Sequence, residues 1–285
     1  MKTQTLRHSL FCILAIGFNL SGLSLVANAQ TAAQPPEEKT IQEKQDENLF
    51  SFECYVDLYS AYIWRGLVLT ENPVWQPNAI LGLNLDDYGK LYTAFFANFN
   101  TSTRPRHNHC GGVDEIDYTL GYEFDVSFLK LGIAHTWWTY PSVTDSQYEA
   151  STREINLNAE INNDYVIPFV EVDIDYAQAN GIYGLFGLRK EVQVVDQLMV
   201  GVEATLGAGT NPYTDYYFGN NSKSGLVDGN IAIYSQFDIT DHIYVGAKIA
   251  YTAVLDNDIQ GVYPEYDNYP KDNMIWGGIT FGVTF

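Results

Sequence analysis

From residue 50 onward, apolar and polar side chains alternate with a period of two almost to the end of the chain. The clearest stretch is the last: Ile275, Ile279, Phe281, Val283 and Phe285 share one face, and Trp276, Gly278, Thr280, Gly282 and Thr284 the other. Residues 170–176 put Val170, Val172, Ile174 and Tyr176 on an apolar face opposite Glu171, Asp173 and Asp175. The stretches 115–122, 154–161, 230–238 and 243–251 repeat the scheme, the last with Lys248 on its polar face. Successive side chains point to opposite faces only in a strand, so this pattern predicts strands and not amphipathic helices. Twelve are expected, at 52–63, 75–86, 90–101, 114–124, 127–139, 150–162, 165–177, 181–191, 197–207, 227–239, 242–254 and 273–285. Most run to about 10–13 residues, beyond the ordinary globular strand and close to what a tilted membrane-spanning strand needs.

The connections sort by parity. Even-to-odd links are mostly tight (Asp87 to Gly89, Asp125-Val126, Asn163-Asp164, Thr240-Asp241), with a slightly longer one at 192–196. Odd-to-even links are mostly long, at 64–74, 102–113, 140–149, 208–226 and 255–272; only 178–180 is short. Turns at one end and loops at the other are the asymmetry of an outer-membrane barrel, and a secreted β-sandwich has no reason to show it. The expected fold is therefore all-β: an antiparallel up-and-down transmembrane β-barrel of about twelve strands, spanning 50–285.

Ahead of the barrel lie two segments of different composition. Lys2, Arg7 and His8 precede an apolar run over 10–26, and Ala27-Asn28-Ala29 supplies a small-x-small cleavage pattern, so 1–29 reads as a signal peptide. Residues 30–49 are polar and charged with Pro35-Pro36, and are expected to form a disordered periplasmic tether. Beyond residue 26 no stretch approaches the roughly 18–20 apolar residues of a membrane helix.

Charge narrows the function. The chain carries 15 Lys and Arg against 35 Asp and Glu, a formal net charge of −20, which excludes a nucleic-acid partner needing a basic surface. The acids recur on strand faces opposite the apolar ones, where a water-filled lumen tolerates them and lipid would not. The expected pore lining comprises Glu115, Asp117, Glu154, Glu160, Glu171, Asp173, Asp175, Glu203 and Asp238, the cations Lys130 and Lys248, and Arg65 beside Gly66. Arg189 is also compatible with the lumen, whereas Arg153 has the opposite parity. Arg65 is either a selectivity charge at the mouth or, the preferred role, the partner of a lumen acid that fixes the first loop. Such a lining predicts a cation-favouring channel for small solutes. The same charges, paired with one another, would also suit a plugged, non-conducting barrel with a structural or adhesive role, since twelve strands lie between filled and open barrels.

Ser60-Ala-Tyr-Ile-Trp-Arg-Gly66, with Pro73 and Gln76-Pro77 after it, resembles the opening of the TorF family, conserved Gram-negative outer-membrane proteins described as porins. Glu115 to Tyr122, Tyr140-Pro141 and Glu154 continue the similarity in order. The sequence departs from the family at Leu67-Val68-Leu69, where a polar Ser-Gln pair is expected after Arg-Gly. The resemblance implies an outer-membrane barrel in contact with outer-membrane lipids. The terminal Phe285 resembles the signal read by the barrel-assembly machinery.

Other chemistry reads weakly. His107, His109 and Cys110 lack a fixed fourth ligand for a metal, and no cofactor is expected. His135 shares the outward parity of Leu129, Leu131 and Ile133; no serine motif accompanies it, so a lipid-facing hydrolase ranks below both barrel readings and the chain is not expected to be an enzyme. His242 follows a tight turn and is expected at the periplasmic surface. Cys54 and Cys110 are expected at opposite ends of the barrel, about 25–30 Å apart, too far to pair. Trp137-Trp138 reads as part of a headgroup-level girdle, and the loop tyrosines as loop packing.

Overall fold

A computed structural model of the chain describes residues 49–101, 112–141, 151–219, 223–259 and 272–285. The segments expected as signal peptide and tether lie outside these residues apart from Leu49, as do His107, His109 and Cys110. The strands are β1 (Phe50–Tyr59), β2 (Tyr62–Trp64), β3 (Leu67–Thr70), β4 (Val74–Asn84), β5 (Lys90–Asn100), β6 (Val113–Val126) and β7 (Leu129–Thr139). They continue as β8 (Ser151–Ile161), β9 (Ile167–Asp175), β10 (Gly181–Val195), β11 (Leu198–Gly209), β12 (Gly225–Asp238), β13 (Ile243–Val254) and β14 (Asn273–Thr284). One helix, α1 (Asn211–Phe218), lies between β11 and β12. Twelve strands, all but β2 and β3, close into an antiparallel barrel in which each pairs with its neighbour in the chain, and β1 pairs with β14.

The closure satisfies backbone groups that an open edge would leave to lipid. At the seam, Phe52 N–H donates to the Phe285 carbonyl at 3.0 Å, and Phe285 N–H returns to the Phe52 carbonyl at 2.8 Å. The two faces differ as the alternation predicts. Outward positions such as Leu58, Leu120, Phe186, Ile233, Ile249 and Phe281 are exposed and apolar, while the polar residues between them are buried. Five connections at one end are turns, and the longer links, including α1, gather at the other, so both termini of the barrel lie at the turn end.

Several boundaries move. The turn expected at Asp125-Val126 is Ser127-Phe128, because Asp125 pairs with Lys130 and Val126 with Leu129; Ser127 takes the strain with φ 59°. Strand β10 runs on to Val195, four residues past its expected end, with a register shift between Gln193 and Val195.

The larger correction concerns the first strand, expected to continue to residue 63 with Arg65 at its tip. Strand β1 stops at Tyr59, and residues 62–70 turn back as the two-stranded hairpin β2–β3. Its turn is Arg65-Gly66, both left-handed at φ 45° and 84°. The hairpin is buried from Ala61 to Val68, so it folds into the barrel instead of standing above it. Leu67 and Val68, just past that turn, are buried at 7% and 8% exposure.

Candidate functional site

Arg65 organises the loop end of the lumen. Its Nη1 and Nη2 donate to Oε1 and Oε2 of Glu154, each at 2.8 Å, the two-pronged geometry in which guanidinium and carboxylate match best. Nη2 also lies 2.9 Å from Asp173 Oδ2. Four aromatic rings surround the cation, with Trp64 and Tyr183 at 4.6 and 4.8 Å and Trp138 and Tyr213 both at 5.8 Å. Burial works against the Arg65 charge, but the Asp173 and Glu154 carboxylates outweigh it and hold its pKa above the ordinary guanidinium value.

The wall beneath this cage is a ladder of polar side chains running across neighbouring strands. Thr119 and Thr136 hydroxyls meet at 3.0 Å, Thr136 donates to Asn156 Oδ1 at 2.8 Å, and Asn156 Nδ2 donates to Asp173 Oδ1 at 2.8 Å. Period-two spacing on β6 to β9 places these groups at one level, and the ladder fixes the acid that receives Arg65.

Helix α1 completes the packing. Thr210 N–H donates to the Ile182 carbonyl at 2.9 Å, and its hydroxyl accepts from Ile182 N–H at 2.9 Å, tying the start of the helix to β10. The approach demands Gly181, where a Cβ would sit 2.3 Å from the Tyr213 backbone nitrogen. Tyr213 and Phe218 are fully buried. Tyr213 and Tyr217 pack their rings on Trp64, centroids 6.4 and 4.8 Å away. The Tyr217 hydroxyl donates to Asp175 Oδ2 at 2.8 Å. The other oxygen of Asp175 accepts three backbone N–H groups, from Ala177, Gln178 and Ala179, which explains why the β9–β10 link is the one short connection at the loop end.

At the turn end, charges pair across strands. Arg189 Nη2 donates to Glu160 at 2.7 Å and its Nε lies 3.4 Å from Glu191, while Lys130 Nζ is 3.3 Å from Glu123. Tyr234 and Tyr244 hydroxyls donate to Glu191 and Glu53 at 2.7 and 2.6 Å. Between the two ends, Lys248 Nζ sits 4.8 Å from the Trp276 ring centre, and the Thr280 hydroxyl donates to Asp57 at 2.5 Å. Glu171 and Glu203 differ from these. Neither carboxylate makes a hydrogen bond or ion pair among the described residues.

The twelve residues expected in the lining divide by environment. Arg65, Glu154, Asp173 and Asp175 form the loop-end assembly. Glu115 accepts the Tyr62 hydroxyl at 2.8 Å, with buried Asp117 two residues on. Lys130 and Glu160 belong to the turn-end pairs, Asp238 accepts from Gln236 at 2.9 Å, and Lys248, Glu203 and Glu171 lie between. Glu53, Asp57, Lys90, Glu123, Glu191 and Asp228 are buried charges that the sequence reading did not single out. Glu123 and Glu191 continue the faces of Asp117 and Arg189 at intervals of two or six residues, so parity alone could have found them. Asp228 could not be found that way, because Val227 and Asp228 are both buried where the β11–β12 register shifts. It accepts the Tyr183 hydroxyl at 2.8 Å and lies against the hairpin turn, where a Cβ on Gly66 would meet the Asp228 Cβ at 2.7 Å.

The aromatic girdle needs a correction. Trp137 faces outward, but Trp138 points into the lumen at 1% exposure, because adjacent residues of a strand occupy opposite faces. His135 faces outward, with Nε2 2.6 Å from the Tyr176 hydroxyl. His242 is exposed at the turn end and stacks on Phe285, ring centres 5.0 Å apart. Cys54 is half-buried on the outer side of β1.

No family model and no curated protein sequence matches the chain. Among solved structures, it is similar in fold to an outer membrane channel from Pseudomonas putida F1, at 12% identity and TM-score 0.48, covering 87% of this chain and 100% of that one. It is also similar to the NanC porin, at 11% identity and TM-score 0.47 over 82% and 98% of the two chains. The KdgM porin follows at 6% identity and TM-score 0.43, again over 82% and 98%. The closed twelve-stranded barrel, its apolar exterior and the sorting of turns from loops make this an outer-membrane β-barrel protein.

Proposed function

We propose that the barrel is a channel for small cationic or polar solutes, narrowed at its outer end by the β2–β3 hairpin and α1. The observation that carries this reading is the excess of lumen acids over lumen bases, with Glu171 and Glu203 left outside every hydrogen bond and ion pair of the described residues. Carboxylates without a hydrogen-bond or ion-pair partner among the described residues, lining a tube with low-dielectric walls, concentrate cations and repel anions. The resemblance of 60–66 and 115–122 to the TorF porins agrees with it. Phe285, with its backbone paired to Phe52 and its side chain exposed, supports recognition by the barrel-assembly machinery.

A second reading is a non-conducting barrel, favoured by the caged Arg65 and by the two loop elements packed inside the wall. Single-channel recording from the purified protein in planar bilayers separates the two. Discrete current steps in potassium chloride support the channel; a bilayer that stays silent with verified insertion supports the plug.

A further inference from the structure

The lipid-facing surface is apolar along most strands, and near the loop end of β8 a guanidinium interrupts it. Arg153 is exposed on the outer face, while its neighbours Thr152 and Glu154 are buried on the lumen side. Trp137 stands opposite it on β7. On β9's side, Tyr176 N–H donates to the Arg153 carbonyl at 3.3 Å, and the Tyr176 hydroxyl lies 2.6 Å from His135 Nε2. The His135 ring packs on Trp137 with centroids 3.9 Å apart. Among the described residues, the Arg153 side chain has no hydrogen-bond or ion-pair partner. Lys190, the other outward-facing lysine or arginine of the described strands, sits toward the turn end and donates to the Asp164 carbonyl.

Position and chemistry both select a ligand. Arg153 is the third residue of β8, so it lies about 7 Å inside the strand's outer end at roughly 3.3 Å per residue. At that level outward-facing Trp137 pairs with exposed Tyr118 across β6 and β7, and Trp and Tyr side chains are those that anchor barrels at headgroup depth. A cation there with no partner among the described residues is placed to meet the phosphates of the outer leaflet, and the planar guanidinium fork matches phosphate oxygens two at a time. We propose that Arg153, with the Tyr176 and His135 pair beside it and Trp137 as an apolar wall, binds the phosphate of an outer-leaflet lipid headgroup. The site is independent of whether the lumen conducts.

The test compares purified barrels in detergent doped with lipid A, with dephosphorylated lipid A, or with inorganic phosphate alone. Thermal unfolding and native mass spectrometry are the readouts. Phosphorylated lipid A is expected to raise the unfolding midpoint of the wild type and to remain bound in the spectrum. Arg153→Gln should lose most of the shift and at least tenfold of the bound lipid; Arg153→Lys, which keeps charge without the fork, should fall between, and Lys190→Gln should match the wild type. Arg153→Gln behaving as the wild type would overturn the site. Equal effects of dephosphorylated lipid A, or of inorganic phosphate, would overturn the phosphate or the lipid assignment respectively.

Discussion

Replacing Arg65 by alanine should release the hairpin that it holds inside the barrel. The wild-type side chain is 3% exposed, makes two 2.8 Å bonds to Glu154 and lies 2.9 Å from Asp173. Its removal strands two buried carboxylates, and breaking a buried pair from one side costs about 3–5 kcal/mol. At about 1.4 kcal/mol per tenfold, that converts to a roughly hundredfold to several-thousandfold rise in the population with the hairpin undocked. The loss falls on residues 62–70, because β2 and β3 pair with each other and with no barrel strand. Hydrogen exchange should therefore show the amides of 62–70 losing protection by that factor while those of β1 and β4 keep theirs. Single-channel records should show longer or larger openings. Adding Glu154→Gln and Asp173→Asn to the Arg65 variant removes the stranded charges, so the triple variant should undock less than Arg65→Ala alone. Unchanged exchange at 62–70 in Arg65→Ala would refute the argument that this cation latches the hairpin.

Gly66→Ala should loosen the same hairpin by a different route, since φ 84° and the 2.7 Å approach to Asp228 leave no room for a Cβ; protease nicking near residue 66 would report it. Asp175→Asn weakens the acceptor of Tyr217, Thr152 and three loop amides, and is expected to cost on the order of 1–3 kcal/mol, seen as faster exchange in α1 and 176–180 with the barrel strands unaffected. Unheated protein should migrate faster than boiled protein on a denaturing gel, as a closed barrel resists detergent; identical mobility would count against closure. Glu171→Gln with Glu203→Gln should lower cation preference while leaving the loop-end assembly docked, because neither residue bonds to it.

The barrel wall was legible in the sequence because lipid and water impose opposite demands on successive residues. Val170 to Tyr176 shows this directly, with Glu171, Asp173 and Asp175 inside and Val170 and Tyr176 exposed outside. Loop parity was legible too, since chain length between strands needs no knowledge of packing. What the loops do was not. Tyr62-Ile63-Trp64 is an apolar run that reads as a continuation of β1, and Arg65-Gly66 in left-handed conformation turns the chain back into the lumen. The preferred role of Arg65, pairing with a lumen acid to fix the first loop, matches its contacts with Glu154 and Asp173. Its partners could not be named, because Glu154 and Asp173 lie 89 and 108 residues away on strands whose level in the barrel depends on the register of every pair between. That same distance in sequence concealed the difference between Asp173 and Asp175, held in the loop-end assembly, and Glu171, two residues earlier on the same face and outside the hydrogen bonds and ion pairs of the described residues.

The most direct test of the proposed channel is the reversal potential of the purified barrel in a planar bilayer under a tenfold potassium chloride gradient. An acidic lumen predicts a potential whose sign reports potassium crossing in preference to chloride, decreasing as salt rises toward 1 M, where the Debye length falls to about 3 Å. A potential of the opposite sign, or one unchanged by salt and by Glu171→Gln with Glu203→Gln, would contradict it.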